Sequence, residues 1–425
     1  MKLDKMKRVV LPNGLRLLML PDDRGRSVSV SVWIGSGSRF EKPERSGVSH
    51  YIEHMLFKGT ERRTARDIAE EMDGIGGLLN AYTTKEYTCI YARSLDSHLP
   101  IAFDIISDML TSSRLSEEDM ETERGVILEE IDMYADSPED LLLDGIYDAM
   151  WGNDMLGANI AGTREIVGSM TTADLRAHMA EQYTAPRIVC AVSGAFDCDA
   201  FVQMAEAALG SIPCGGPPFE AKFAGYRNCN NLISKDFEQT HFCIGFPGVS
   251  QDDERRHALG MLNSICGGGT SSRLFQRIRE ELGLAYSVGC TFTPYMREGI
   301  FEVDAAFNPK NDEAAIRELV SVLCGLRQNG VTPEEFYRTK EQHKATTIMG
   351  LEGNAAIAAH MGRGELLRGK IKSEDEIIAT LDSITLEQVN QAARDFIDFN
   401  NFSLCAVGKV RNEDSYLSIV HSAIF

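Results

Sequence analysis

No Cys-x-x-Cys pair occurs among the ten cysteines of this 425-residue chain, which are scattered from Cys89 to Cys405. They therefore read as reduced, mostly buried thiols of a cytosol-like compartment. Long apolar runs are missing too. Segments such as Ile188 to Val192 fall far short of the roughly 20 residues that cross a bilayer. The opening MKLDKMKRVV is not followed by the apolar stretch of a signal peptide, and no transit peptide is visible. The expected home is a bacterial cytoplasm, with an organellar matrix as the alternative. Basic residues are scarce, 43 against 63 acidic ones, for a formal net charge of −20. Such a field repels nucleic acid and anionic lipid and attracts cationic partners. Gly267-Gly268-Gly269 is not followed by the Gly-Lys-Ser/Thr of a phosphate loop, which argues against nucleotide binding.

What is present is an ordinary globular composition, 43% apolar and 25% charged, which rules out a disordered chain and a disulfide miniprotein. At roughly 100–200 residues per domain, the length predicts two to four domains. Pro12-Asn13-Gly14 between Arg8–Leu11 and Leu15–Leu20 predicts a hairpin. The alternation over Ser27–Trp33 predicts a half-buried strand. Helical patterns follow at 46–57 and 64–73, then a strand-like stretch from Leu78 to Ala92, helices over 98–180, and a strand at Ile188–Ser193. Pro-Cys-Gly-Gly-Pro-Pro at 213–218 is the best linker. Beyond it the order restarts, with a strand at His241–Phe246, helices at 253–265 and 271–282, and strands within Tyr286–Ala306. An offset of 210 lays Ile68 on Ile278 and Met72 on Leu282. The expectation is an α+β protein of two tandem homologous α/β domains, each a mostly antiparallel sheet packed with helices. The first spans 1–212, a linker 213–223, and the second 224–425.

The chemistry sits in His50-Tyr51-Ile52-Glu53-His54. Two histidines at i and i+4 stand on one helix face, so both imidazoles can bind one metal ion. Glu53 lies close to the same face, placed to take a proton from an attacking water. This is the inverse order of the zinc-protease motif His-Glu-x-x-His. A catalytic zinc needs a third protein ligand, and the acidic segment 117–134 offers Glu121, Glu123, Glu129 and Glu130, behind a capping box at Ser116–Asp119. Met120, Glu123, Ile127, Glu130, Ile131 and Tyr134 form one stripe. A buried carboxylate is costly unless paired or metal-bound, which favours Glu130 or Glu123.

These residues carry a resemblance. His50 to Thr60 (HYIEHMLFKGT), Asn80-Ala81-Tyr82-Thr83 and Glu123 to Glu130 (ERGVILEE) are similar to the pitrilysin and mitochondrial processing peptidase family of zinc metallopeptidases, most of all its processing-peptidase beta subunit and bacterial homologues. The resemblance implies that His50, His54 and Glu130 bind one zinc ion per chain, that Glu53 is the general base, and that Glu123 supports the site. It implies that Leu79, Asn80, Ala81 and Tyr82 lie on an edge strand that pairs with the substrate backbone. Arg279 and Tyr286 would meet the substrate from the second half, Tyr286 at the developing oxyanion and Arg279 at a peptide carbonyl. At the 210 offset His50, Glu53 and His54 fall on Gly260, Asn263 and Ser264, so the second half is expected to lack a metal site. The implied activity is zinc-dependent cleavage of peptides or unfolded, presequence-like segments inside a chamber. The chain would act as a homodimer or with a different partner chain. The alternative is a noncatalytic scaffold like the core proteins of the respiratory bc1 complex, or a peptide-binding subunit. Nucleic acid and membrane are not expected as partners.

Overall fold

Apolar alternation in the strands and three- to four-residue spacing in the helices resolve into two sheets, each covered by helices. The computed structural model describes residues 3–216 and 221–424. The first sheet has six strands in the order β1-β2-β6-β3-β5-β4, with β1 Lys7–Val10, β2 Arg16–Pro21, β3 Ser27–Ile34, β4 Leu78–Thr83, β5 Thr88–Leu95 and β6 Ile188–Gly194. The second has five in the order β7-β11-β8-β10-β9, with β7 Asn230–Ser234, β8 Thr240–Pro247, β9 Ala285–Pro294, β10 Gly299–Phe307 and β11 Ser403–Gly408. Each sheet carries one parallel pair, β2 with β6 and β7 with β11, and is otherwise antiparallel. The α+β architecture with two mainly antiparallel sheets matches the sequence expectation.

The stretch 78–92, expected as one strand region, is a hairpin. Thr84 turns it: its hydroxyl donates to the Tyr87 carbonyl at 2.9 Å and accepts from the Tyr87 N–H at 3.1 Å. Within 271–282, the Phe275–Glu281 segment is a π-helical turn rather than a regular α-helix. The glycine run that ends the preceding helix has a packing role. A Cβ on Gly267 would lie 2.5 Å from the Cys290 backbone nitrogen, so only glycine permits this approach to β9.

The chain divides into two compact units that do not follow chain order. The first comprises Met1–Ile131, Asn159–Glu220 and Thr347–Ile377, the second Asp132–Ala158, Ala221–Thr346 and Ile378–Phe425. Each half of the sequence therefore lends a helix to the unit built mainly by the other, a pattern that cuts across a boundary at 213–223. Of that linker segment, 217–220 lie outside the described residues. In the first unit, Asn354–Arg368 packs on β3 and β6, with Ile357 and Met361 against Trp33, Val189 and Ala191. In the second, Pro138–Trp151 packs on β11, β7 and β8, with Leu142, Ile146 and Met150 against Cys243 and Cys405. The main core of the first unit lies between its sheet and the helices Val48–Leu56 and Leu99–Ser112. All ten cysteines are free. Among the described residues no helix is long and apolar enough to cross a membrane.

Candidate active site

The motif helix, Val48–Leu56, buries Val48, Tyr51, Ile52, Met55 and Leu56 and leaves His50, Glu53 and His54 half-buried on the other side. Its start is fixed from outside the helix. Gly47 precedes it in the left-handed region at φ 92° and supplies no side-chain cap. The buried Glu41 carboxylate takes that role, accepting the Gly47 N–H at 2.7 Å and the Ser49 N–H at 2.8 Å. Tyr51 ties the helix to the acidic helix Glu117–Ala135 by donating its hydroxyl to the Met120 carbonyl at 2.6 Å.

On the acidic helix the predicted stripe holds as far as Ile127: Met120, Glu123 and Ile127 are buried, Glu130 is half-buried, and Glu129 faces solvent. The two carboxylates left open by the spacing have different partners. Glu130 Oε2 lies 3.6 Å from His50 Nε2 and 3.5 Å from His54 Nε2. Glu123 Oε2 lies 3.0 Å from His54 Nδ1, and its Oε1 pairs with Lys58 Nζ at 2.5 Å. Only a protonated Nδ1 can donate to that carboxylate, so the His54 Nε2 lone pair is directed at Glu130 and His50.

His50, His54 and Glu130 are the one group of three metal-ligating side chains among the described residues whose donor atoms all lie within 4.8 Å of one another. Two imidazole nitrogens and one carboxylate oxygen form a donor set that catalytic zinc uses, with the fourth position left for water or substrate. The residues therefore fit zinc. Electrostatics favour the arrangement at His50, where burial and the neighbouring His54 hold the imidazole pKa down to about 4, so it is neutral and able to ligate at neutral pH. At His54 burial lowers the pKa, but the neighbouring Glu130 and Glu123 carboxylates outweigh it and the net direction is upward.

Glu53 stands one residue before His54 and is held by the rim of the sheet. The Thr83 hydroxyl donates to its Oε2 at 2.6 Å. Burial raises the Glu53 pKa, and the Thr83 hydroxyl and backbone N–H restrain that rise. A carboxylate lifted toward the working pH is better suited to proton transfer than a fully solvated one. Thr83 ends β4, which is the edge strand of the first sheet. Leu79, Asn80, Ala81 and Tyr82 sit on that strand, so one side of its backbone has no strand partner among the described residues. The Ala81 N–H bonds to the Asn80 side-chain oxygen at 2.8 Å.

Arg279 and Tyr286 come together in the second unit. The guanidinium carbon lies 5.1 Å from the Tyr286 ring centre and 4.7 Å from that of Phe275, and Tyr286 is 74% exposed. Gly260, Asn263 and Ser264, which the offset of 210 lays on His50, Glu53 and His54, lie on the helix Arg256–Gly267. Ser264 Oγ there lies 2.8 Å from His343 Nε2, and the three-residue metal-ligating group found among the described residues lies in the first unit. Sequence reasoning assigned no role to three residues around the site: Glu41, Lys58 and Thr83. Lys58 lies in the turn just beyond the motif helix, which ends at Leu56, and Thr83 at the end of β4.

The family description "Insulinase (Peptidase family M16)" matches residues 17–164, and "Peptidase M16 inactive domain" matches 169–343. A protein of Bacillus subtilis named as an uncharacterised zinc protease, YmxG, is 39% identical over 92% of this chain and 95% of its own. An uncharacterised zinc protease of Streptomyces coelicolor is 38% identical over 99% of this chain and 92% of its own. Among solved structures, a protease from Helicobacter pylori superposes with a TM-score of 0.87 at 20% identity, covering 95% of this chain and 99% of that one. A chain of Complex III2 from Candida albicans does so with 0.85 at 19%, covering 97% and 99%. At such identities these likenesses speak for the fold alone. The chain belongs to peptidase family M16.

Proposed function

We propose that this M16 family member is a zinc-dependent endopeptidase of peptides and unfolded polypeptide segments. The observation that carries the reading is the convergence of His50 Nε2, His54 Nε2 and Glu130 Oε2, with Glu53 next in sequence and held by Thr83. Bound zinc supplies Lewis-acid chemistry at this point, polarising a carbonyl and making water acidic enough to lose a proton near neutral pH. Glu53 accepts the proton of the attacking water and returns it to the leaving amine. Thr83 orients the Glu53 carboxylate. Glu123 fixes the His54 tautomer and ring plane, and Lys58 balances the Glu123 charge. The open side of β4, along Leu79 to Tyr82, binds an extended substrate backbone as an added strand, which explains broad sequence tolerance. Arg279 and Tyr286 are assigned to substrate carbonyl and oxyanion by resemblance, and the exposed Tyr286 hydroxyl is available for it.

The finer reading is one zinc ion per chain and a two-domain chain that works as a homodimer in the cytoplasm, cutting basic, presequence-like peptides inside a chamber. The second reading is the alternative that the sequence resemblance left open, a noncatalytic scaffold or a peptide-binding subunit. The complete donor set and the Glu53–Thr83 pair support the peptidase instead. Zinc content and peptide cleavage, measured on wild type and Glu53→Gln, decide between them. The expectation is about one zinc per chain in both proteins, with cleavage reduced about 100- to 10,000-fold in the variant. A wild type without zinc, or undiminished zinc-dependent cleavage by Glu53→Gln, overturns the reading.

A further inference from the structure

Strand alternation sorts the residues of β10 into two sets. Phe301, Val303 and Ala305 point into the apolar side of the second sheet, while Glu302, Asp304 and Ala306 point to the other face. In register with them stand Gly245, Cys243 and His241 on β8 and Thr291, Gly289 and Ser287 on β9. This second face is small and polar where the first is aromatic. The helix Pro138–Trp151 crosses one side of it and leaves a cavity of about 350 Å³ beside the strands. The cavity lies wholly within the second unit.

Its charge is of one sign. Glu139 from the helix and Glu302 and Asp304 from β10 line it, and no lysine or arginine does. Glu302 forms the floor and is only 6% exposed. Its Oε2 is buried without a hydrogen-bond partner. An unpaired buried carboxylate is costly, and here burial and Asp304 push its pKa up to about 8. A cation entering the cavity would restore the charged form. The remaining wall is apolar, from Leu142, Leu143 and Ile146. Leu143, Glu139, Ser287 and Thr291 are exposed, so the cavity opens to solvent at their side. A compact metal ion is disfavoured, because His241, Glu302, Asp304 and Glu139 do not bring three donor atoms within the mutual reach that the His50 group achieves. An alkyl chain of four or five carbons ending in a cation matches both walls: the stem lies on leucine and isoleucine, the head meets the carboxylates.

We infer that this cavity of the second unit is a binding pocket for an alkyl-ammonium or alkyl-guanidinium group. The group can come from a lysine or arginine side chain of a polypeptide or from a free diamine. The inference goes beyond the peptidase reading, because it concerns residues outside the zinc ligands and is tested by binding alone.

The test uses the full chain, zinc-loaded and carrying Glu53→Gln so that no peptide is consumed. Calorimetric titration is performed with three probes: a blocked pentapeptide with a central lysine, the same peptide with norleucine, and cadaverine. The titrations are repeated in the Glu302→Gln background and in Glu302→Gln/Asp304→Asn, with circular dichroism confirming the fold of each. The pocket predicts that the lysine peptide or cadaverine loses at least about tenfold in affinity in the double variant, while the norleucine peptide is unchanged. Loss for the peptide alone identifies a polypeptide subsite, and loss for cadaverine alone or for both identifies a pocket open to free amines. Equal affinities of both amine probes for the starting protein and the folded double variant overturn the inference. So does an equal loss for norleucine and lysine.

Discussion

His54 Nδ1 and Glu123 Oε2 lie 3.0 Å apart, and Glu123 is in turn paired with Lys58 at 2.5 Å. The contact leaves the other ring nitrogen of His54, Nε2, facing Glu130. Outer partners of this type are worth about 10- to 100-fold in metal affinity. Glu123→Gln keeps the shape but exchanges a charged acceptor for a neutral one and leaves Lys58 without its counterion. Zinc affinity, measured by competition with a chromophoric chelator, is expected to fall within that range while Glu130→Gln falls further, because it removes a donor outright. Equal affinity of Glu123→Gln and wild type would remove Glu123 from the site.

Thr83 donates to Glu53 at 2.6 Å from the last residue of the edge strand. Thr83→Val keeps the branched shape and deletes the donor. A hydrogen bond to a charged group is worth about 1.5–3 kcal/mol, which corresponds to a kcat lower by roughly 10- to 100-fold. KM and zinc content are expected to stay near wild type, since neither the metal donors nor the strand backbone changes. Serine at this position restores the hydroxyl and most of the rate. A Thr83→Ser variant as slow as Thr83→Val would show that packing matters here rather than the donor.

Much of this site is legible in the sequence because it is local. Two histidines at i and i+4 and a glutamate between them need only a helix, and the stripe Met120–Glu123–Ile127–Glu130 needs only its period. What spacing left open was which of Glu123 and Glu130 joins His50 and His54 in one metal-ligating group. That depends on how two helices pack, which the Tyr51 bond to Met120 sets. Thr83, Lys58 and Glu41 were given no role because a hydroxyl, a lysine and a loop glutamate have no periodic signal. The cavity around Glu302 was invisible for the same reason: its carboxylates come from positions 139, 302 and 304, and only the alternation of β10 and a distant helix bring them to one face. The exchange of helices between the halves leaves no trace in composition or turn signals, since a helix packs on whichever sheet offers a matching apolar surface.

The exchanged helix Asn354–Arg368 yields its own prediction. A Cβ on Gly362 would lie 2.2 Å from Trp33 Nε1, and the Trp33 ring is locked by its bond to Ser31 Oγ at 2.8 Å. Gly362→Ala improves helix propensity yet forces the helix off the sheet. Overpacking of this kind costs about 1–3 kcal/mol, more than the roughly 1 kcal/mol alanine gains within a helix. The denaturation midpoint is expected to fall. A midpoint that rises would mean the helix has room to shift.

Glu41 lies in the segment before the motif helix, and its two oxygens accept two separate backbone N–H groups. A glutamine offers one acceptor oxygen, so Glu41→Gln leaves one buried N–H facing an amide nitrogen. An unsatisfied buried group costs about 1–3 kcal/mol. The expected result is a lower thermal midpoint together with weaker zinc binding, because the start of the helix that carries His50 loosens. Retained zinc affinity alongside the stability loss would limit Glu41 to a folding role.

Glu302 gives the protein a pH dependence of stability with a definite sign. The groups facing it are Asp304 on its own strand, Cys243 and His241 on β8, Tyr147 and Glu139 on the helix Pro138–Trp151, and none of them is a cation at neutral pH. Burial and Asp304 raise its pKa from 4.5 to about 8. Between those values the folded chain keeps a proton that the unfolded chain has released. The folded state then binds more protons, so stability falls as pH rises through this window. Below about 4.5 both states are protonated and the group costs nothing; above about 8 the full penalty, on the order of a few kcal/mol, is in place. Glu302→Gln has nothing to ionise. Urea midpoints taken from pH 5 to pH 9 in the presence of a reductant are expected to converge for variant and wild type at the acid end and to separate steadily toward pH 9, with the variant the more stable. Parallel curves across the whole range would mean that Glu302 is solvated or paired in solution, and its floor position in the cavity would then carry no charge to be met by an amine.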